Sequence, residues 1–250
     1  MESIESRSAV CIFVGMAGSG KTTLVERVSS HLRSGGQAPY VLNLDPAAQN
    51  TPYEANIDIR DTVNYKAVMK EYGLGPNGAI LTSSNLFTTR FDKVIDILKE
   101  RTIDHRYVLI DTPGQIEMFT WSASGMMMTE MLSNTFATYI FYVLDTSHCQ
   151  RPQALVSNLL QAVSVLYRIQ LPLVLIFNKI DIVPYEPLVK QLFDASLLHN
   201  ELDRVGDYSS ALTSSLNTIL QEFYQQLNIV GVSAALGTGL DDLMYSIENQ

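Results

Sequence analysis

The sequence predicts an α/β protein, a mostly parallel sheet flanked by helices, and three observations carry that prediction. Short apolar runs recur along the chain without polar alternation, as strands buried on both faces require. Stretches of helical periodicity separate them, and strands alternating with helices pack as a parallel sheet with right-handed crossovers. The first run leads into a glycine-rich turn that opens a helix. Of the 250 residues, 46% are hydrophobic and 17% charged, a globular composition that excludes general disorder.

The strand-sized runs are Ala9–Val14, Tyr40–Leu44, Tyr107–Ile110, Tyr139–Leu144 and Leu171–Phe177, each closed by Gly, Asp, Asn or Pro. The helix expected over Thr22–Leu32 stops before Gly35-Gly36. Phe91–Lys99 places Val94, Ile95, Ile97 and Leu98 at helical spacing. Pro152–Tyr167 has proline in its first turn and a stripe of Leu155, Leu159, Leu160, Val163 and Leu166. Helices over Tyr208–Leu227 and Leu240–Ile247 complete a single domain spanning 1–250, with 1–8 as a flexible start. Met126–Met128 and Met131 fit two readings: a helix with flexible core-filling side chains, or an adaptable groove for a peptide partner.

Charge and cysteine usage exclude several classes. Seventeen Lys+Arg against 26 Asp+Glu give a net charge of −9, without the basic footprint of a nucleic-acid binder. Cys11 and Cys149 lie far apart, which rules out a disulfide scaffold and a zinc finger. The start, MESIESRSAV, lacks the positive charge and apolar core of a signal peptide. No apolar run approaches the ~18–20 residues of a membrane span. The expectation is a cytoplasmic protein with no membrane partner and no direct nucleic-acid contact.

Gly15-Met16-Ala17-Gly18-Ser19-Gly20-Lys21-Thr22 matches GxxxxGK[ST] and follows the run ending at Val14. Glycines let successive backbone N–H groups turn inward on a phosphate, and the following helix adds its positive end. Lys21 supplies a point charge for the β- and γ-phosphates, and the Thr22 hydroxyl is placed for Mg²⁺. Asp111-Thr112-Pro113-Gly114 follows the run Tyr107–Ile110, where a buried strand would deliver Asp111 toward the metal and Gly114 would bring its N–H near a γ-phosphate. Asn178-Lys179-Ile180-Asp181 follows Leu171–Phe177. A carboxylate there accepts two hydrogen bonds from guanine, from the ring N–H and the exocyclic amine. Adenine offers no such donor pair and would leave the carboxylate unpaired. The Lys179 stem can cover the base plane. Ser233-Ala234-Ala235, after Ile229–Val232, fits a backbone clasp on the guanine oxygen.

Together GMAGSGKTT, DTPGQIE, NKID and SAA resemble a P-loop NTPase of the SIMIBI-like GTPase architecture, with Thr23 included in the nucleotide loop. Gly75-Pro76-Asn77, within YGLGPNGAI, is similar to the signature of the GPN-loop GTPases. YVLNLDPAA, YEANIDIRD and FTWSASG resemble one eukaryotic branch, associated with RNA polymerase II assembly and nuclear import. The resemblance runs from about Val10 to Ile247. It implies GTP hydrolysis with Mg²⁺ and a homodimer or paralogue heterodimer in which Gly75, Pro76 and Asn77 of one subunit complete the other's phosphate site. It implies RNA polymerase II subunits or assembly factors as partners, and a cytoplasmic protein that shuttles to the nucleus.

The resemblance also implies that Gln115 and Glu117 position the attacking water, and that Asp45 touches Mg²⁺ or that water. Polar residues at a helix start, and strand termination by Asp-Pro, fit those positions as well. The resemblance implies a charged tail past the last helix, which members of this branch often carry and which is not among these residues. Two other readings stay open. A P-loop kinase would use Tyr185–Asp207 as a lid, but that stretch holds a single arginine, Arg204, and leaves NKID without a purpose. A nucleotide-stabilised binding or chaperone module would use the methionine patch and Trp121, with hydrolysis incidental.

Overall fold

A computed structural model describes residues 8–194, 213–216, 223 and 227–248. Along the chain come β1 (Ala9–Val14), α1 (Lys21–Ser34), β2 (Tyr40–Asn43), β3 (Ile57–Asp58), α2 (Ile59–Thr62), α3 (Tyr65–Tyr72), α4 (Pro76–Thr88), α5 (Phe91–Arg101) and β4 (Tyr107–Asp111). They are followed by α6 (Glu117–Thr120), α7 (Ala123–Ser133), β5 (Ala137–Asp145), α8 (Pro152–Ile169), β6 (Leu173–Asn178), α9 (Glu186–Phe193), β7 (Asn228–Val232) and a last helix at Leu240–Glu248. The strands form one seven-stranded sheet in the order β3-β2-β4-β1-β5-β6-β7. The expected mostly parallel sheet flanked by helices is present. Among the described residues no helix is long and apolar enough to cross a membrane. Most of the helix expected over Tyr208–Leu227 lies outside the described residues.

The chain divides into two compact units, Met1–Phe141 and Tyr142–Gln250. In the first, β4 pairs in parallel with β1 (Val10 opposite Val108) and with β2 (Leu42 opposite Ile110), and β2 pairs in parallel with β3. Val10–Val14, Val41, Leu42 and Val108–Ile110 are fully or almost fully buried, so their continuous hydrophobicity is the signature of a sheet covered on both faces. Phe13 and Phe141 pack edge to face, with ring centroids 5.1 Å apart. In the second unit β6 and β7 pair in parallel, Ile176 opposite Val230, and α8 buries Leu155, Val156, Leu159, Ala162 and Val163.

Several boundaries differ from expectation for identifiable reasons. β6 begins at Leu173 rather than Leu171, because Pro172 has no N–H to give a ladder. Gly75-Pro76-Asn77 forms a helix start: Gly75 caps α4 in extended conformation, and Pro76 takes the first helical position. The helix escaped prediction because its buried face mixes Ala79, Ile80 and Phe87 with Ser83 and Ser84, which dilutes the apolar period. In FTWSASG, the Ser122 side chain caps α7 by accepting from the Gly125 N–H at 3.0 Å. A Cβ on Gly125 would sit 1.9 Å from the Phe119 carbonyl oxygen, so only glycine fits that approach. In α7 Met128 is buried, Met126 and Met131 are half-buried, and Met127 is 54% exposed, so core filling accounts for only part of the run.

Candidate phosphate and base sites

The loop between β1 and α1 takes its shape from glycines at positive φ: Gly15 at 150°, Gly18 at 82° and Gly20 at 89°, the last as the left-handed cap of α1. L-residues avoid this region, so the motif's glycine positions are backbone requirements. Met16, Ala17 and Gly18 form the exposed crown, and Ser19 is buried beneath it. Lys21, 5% exposed, folds back and donates to the carbonyls of Gly15 at 2.7 Å and Met16 at 3.1 Å. Thr22 and Thr23 begin α1 behind it. Burial pushes the Lys21 ammonium below its ordinary pKa, against the opposing pull of Asp111 and Asp45.

Asp111, the last residue of β4, is almost completely buried. Its Oδ2 accepts from the Tyr53 hydroxyl at 2.8 Å, whereas Oδ1 is buried and has no hydrogen-bond partner among the described residues. Burial raises the carboxyl to about 6, opposed by hydrogen bonds from Thr22 and Tyr53 and by the charge of Lys21. Asp45 stands just beyond β2. Its Oδ1 accepts from the Ala47 N–H at 2.9 Å, and burial raises its pKa against the pull of that bond, Lys21 and Arg60. Two carboxylates beside one ammonium leave net negative charge among oxygen donors.

The segment after β4 lies against the phosphate loop: a Cβ on Gly114 would lie 3.7 Å from the Ala17 Cβ. The Thr112 hydroxyl donates to the Phe13 carbonyl at 2.6 Å and ties this turn to β1. Gln115 is half-buried ahead of α6, and Glu117 is exposed in its first turn. In the same unit Gly75, Pro76 and Asn77 are exposed at the N-terminal end of α4.

The base motifs meet in the second unit. Asn178, buried at the end of β6, accepts through Oδ1 from the N–H groups of Lys179 at 2.8 Å and Ala234 at 3.1 Å. The Asp181 Oδ1 accepts from the buried Ser233 hydroxyl at 2.5 Å, and the same Ser233 oxygen accepts from the Leu236 N–H at 3.1 Å. Ala234 is buried and Ala235 exposed beside them. Lys179 adopts a left-handed φ of 68°, unusual for a side chain of its kind. Its Nζ pairs with Asp145 Oδ2 at 2.5 Å, and burial of Asp145 is outweighed by Lys179 and Ser147, which hold that carboxyl below its ordinary value.

Sequence reasoning missed three of these groups. Asp145 carried a usable signal, because YVLD closes a strand on a carboxylate as YVLID does at Asp111. Tyr53 and Arg60 lie in YEANIDIRD, which carried part of the resemblance, but nothing local gave either a role, because the structure of that stretch comes from long-range contacts. Arg60 pairs with Asp58 at 2.6 Å and donates to the Ala48 carbonyl at 3.0 Å and the Thr51 hydroxyl at 3.3 Å. The Asn43 side chain donates to both Asp58 oxygens at 3.1 Å.

A strand, a glycine loop and a helix bearing Lys21 and Thr22, with a strand-end carboxylate at Asp111, define a P-loop nucleotide-binding protein. A family model described as "Conserved hypothetical ATP binding protein" matches residues 13–250. GPN-loop GTPase 1 of Dictyostelium discoideum is 48% identical over 236 residues, covering 94% of this chain and 60% of that protein. GPN-loop GTPase 1 of Schizosaccharomyces pombe is 45% identical over 255 residues, covering 98% and 69%. The crystal structure of PAB0955, a GTPase in apo form from Pyrococcus abyssi, matches with a TM-score of 0.84 and 27% identity over 96% of both chains. The chain belongs to the GPN-loop GTPase family. It spans 60% of the length of the Dictyostelium relative and 69% of the Schizosaccharomyces one.

Proposed function

We propose that this chain hydrolyses GTP to GDP and phosphate with Mg²⁺, as a dimeric nucleotide switch. The observation that carries the choice of guanine is Asp181 held by the buried Ser233 hydroxyl, with Asn178 clasping the Ala234 N–H. The carboxylate is thus fixed as an acceptor, which suits guanine's paired donors and disfavours adenine.

The phosphates belong to the Gly15–Thr23 loop, with Lys21 as the cation and Gly114 as a backbone donor. Mg²⁺ prefers oxygen ligands at octahedral positions. The Thr22 hydroxyl, the unpartnered Asp111 Oδ1 and the Asp45 carboxylate fit that demand, and their negative charge suits a divalent ion. When bound, the ion neutralises charge developing on the β- and γ-phosphates. Phosphoryl transfer needs positioning more than covalent chemistry, so Gln115 and Glu117 are the groups to orient water. The γ-phosphate would hold Asp45–Ala48 and Thr112–Glu117 in one arrangement and release them after hydrolysis.

Asn77 is assigned to the partner subunit's phosphates, in a homodimer or a paralogue heterodimer. Its exposure at the positive end of α4 favours an anion in front of it. The cellular role, assembly or nuclear import of RNA polymerase II through its subunits or assembly factors, rests on family resemblance alone.

Asn77→Ala tests the shared site. The parent's rate per subunit is expected to rise with protein concentration and then saturate. The variant is expected to lose on the order of 10²-fold at saturation, the usual cost of one transition-state donor. Unchanged hydrolysis in the variant would reject the role across the dimer.

A further inference from the structure

The two oxygens of the Asp111 carboxylate are treated differently by the fold. Oδ2 accepts from the Tyr53 hydroxyl at 2.8 Å and Thr22 stands as a further donor beside the carboxylate, whereas Oδ1 is buried with no close hydrogen-bond partner among the described residues. Tyr53 is itself 7% exposed and Asp111 2%, so the bond forms out of reach of bulk water. Burying a phenol is costly unless its hydroxyl is satisfied, and here an anion satisfies it.

Tyr53 comes from the stretch between β2 and β3, which is anchored on either side of it. On one side Arg60 donates to the Ala48 carbonyl and the Thr51 hydroxyl while paired with Asp58. On the other, Asn56 bridges to β2, its side chain accepting from the Val41 N–H and its own N–H donating to the Val41 carbonyl, both at 2.8 Å. The same stretch begins at Asp45, whose backbone N–H donates to the Asn43 side chain at 3.0 Å. A displacement of Asp45–Arg60 would therefore reach Asp111 through one phenol.

We propose that Tyr53 is a positioning residue for magnesium: its hydroxyl holds one oxygen of Asp111, fixes the carboxylate's rotation, and leaves the other oxygen for the ion's ligand shell. The stretch bearing Asp45 and the strand bearing Asp111 then respond to the metal together. This inference rests on the Mg²⁺-dependent reading above. A group that orients a metal's ligands through one hydrogen bond typically contributes roughly 10–100-fold to metal affinity.

Tyr53→Phe keeps the ring and removes the bond. The probe is a fluorescent N-methylanthraniloyl GDP, titrated onto parent and variant in EDTA and across a series of Mg²⁺ concentrations, with melting followed in parallel. The Mg²⁺ concentration giving half the gain in affinity is expected to rise roughly 10-fold in the variant. Its affinity in EDTA is expected to match the parent's, and its melting temperature to fall by a few degrees, because an oxygen of the buried Asp111 loses its donor. Equal Mg²⁺ midpoints overturn the inference, as does an affinity lost equally in EDTA and in Mg²⁺, which would mark a purely structural tyrosine. A parent whose affinity ignores Mg²⁺ overturns both the inference and the reading beneath it. A responsive parent with an unshifted variant overturns the inference alone.

Discussion

Replacing Lys21 by alanine is expected to lower GTP turnover by on the order of 10³-fold, with nucleotide affinity falling as well. Lys21 is buried and sits in the field of two carboxylates, Asp111 and Asp45. Its removal takes away the charge proposed to meet the β- and γ-phosphates. It also takes from Asp111 and Asp45 the cation they share, leaving only Arg60 near Asp45, so an incoming polyanion meets more repulsion. The side chain already bonds to the carbonyls of Gly15 and Met16, so reaching a phosphate exchanges neutral acceptors for an anionic one. Single-turnover phosphate release, with nucleotide binding measured alongside, separates the lost rate from the lost affinity. A variant within threefold of the parent in both would remove Lys21 from the phosphate site.

Asp181→Asn is expected to reverse base preference. Guanine presents two donors to the carboxylate, and an amide offers one acceptor and one donor in their place. The guanine amine then faces an N–H group, which should weaken GTP on the order of 10²-fold. Xanthine carries a carbonyl where guanine carries the amine, so the amide matches it and xanthosine triphosphate should bind the variant better than GTP does. The Ser233 hydroxyl can still donate to the asparagine carbonyl, so the clasp survives the change. Competition of GTP, ATP and xanthosine triphosphate against a labelled nucleotide reads the result. Equal losses for GTP and ATP, with no gain for xanthosine triphosphate, would separate Asp181 from base selection.

Both of these residues were legible before the fold was known, and the reason is local. Gly15, Gly18 and Gly20 carry backbone geometry that no other residue takes readily, and the β1 run ends directly at them, so letter and conformation coincide. Asn178 and Asp181 likewise follow the buried strand β6 at fixed offsets. The parallel pairings β1–β4, β2–β3, β2–β4 and β6–β7 join segments whose apolar runs are largely unbroken, apart from β3, which has only two residues. What stayed hidden depends on contacts distant in sequence. Tyr53 gains its meaning from an aspartate 58 residues away, and Arg60 from carbonyls in a stretch with no periodicity. In α3 the signals were present, an Asn64 cap and a left-handed Gly73, but the eight-residue helix buries only Val68 and so shows little apolar stripe. Asp45 illustrates an intermediate case. Its chain position suggested strand termination as readily as metal binding, and its burial beside Lys21 is what favours the second.

The most direct test of the central claim is phosphate release from GTP and from ATP, each with Mg²⁺ and with EDTA. Release from GTP that requires Mg²⁺ and exceeds release from ATP many-fold is the predicted result. It would join the Asp181–Ser233 clasp to the Lys21, Thr22 and Asp111 cluster in one reaction. GTP bound tightly with no phosphate released from either nucleotide would contradict the hydrolytic switch and leave a nucleotide-stabilised binding module.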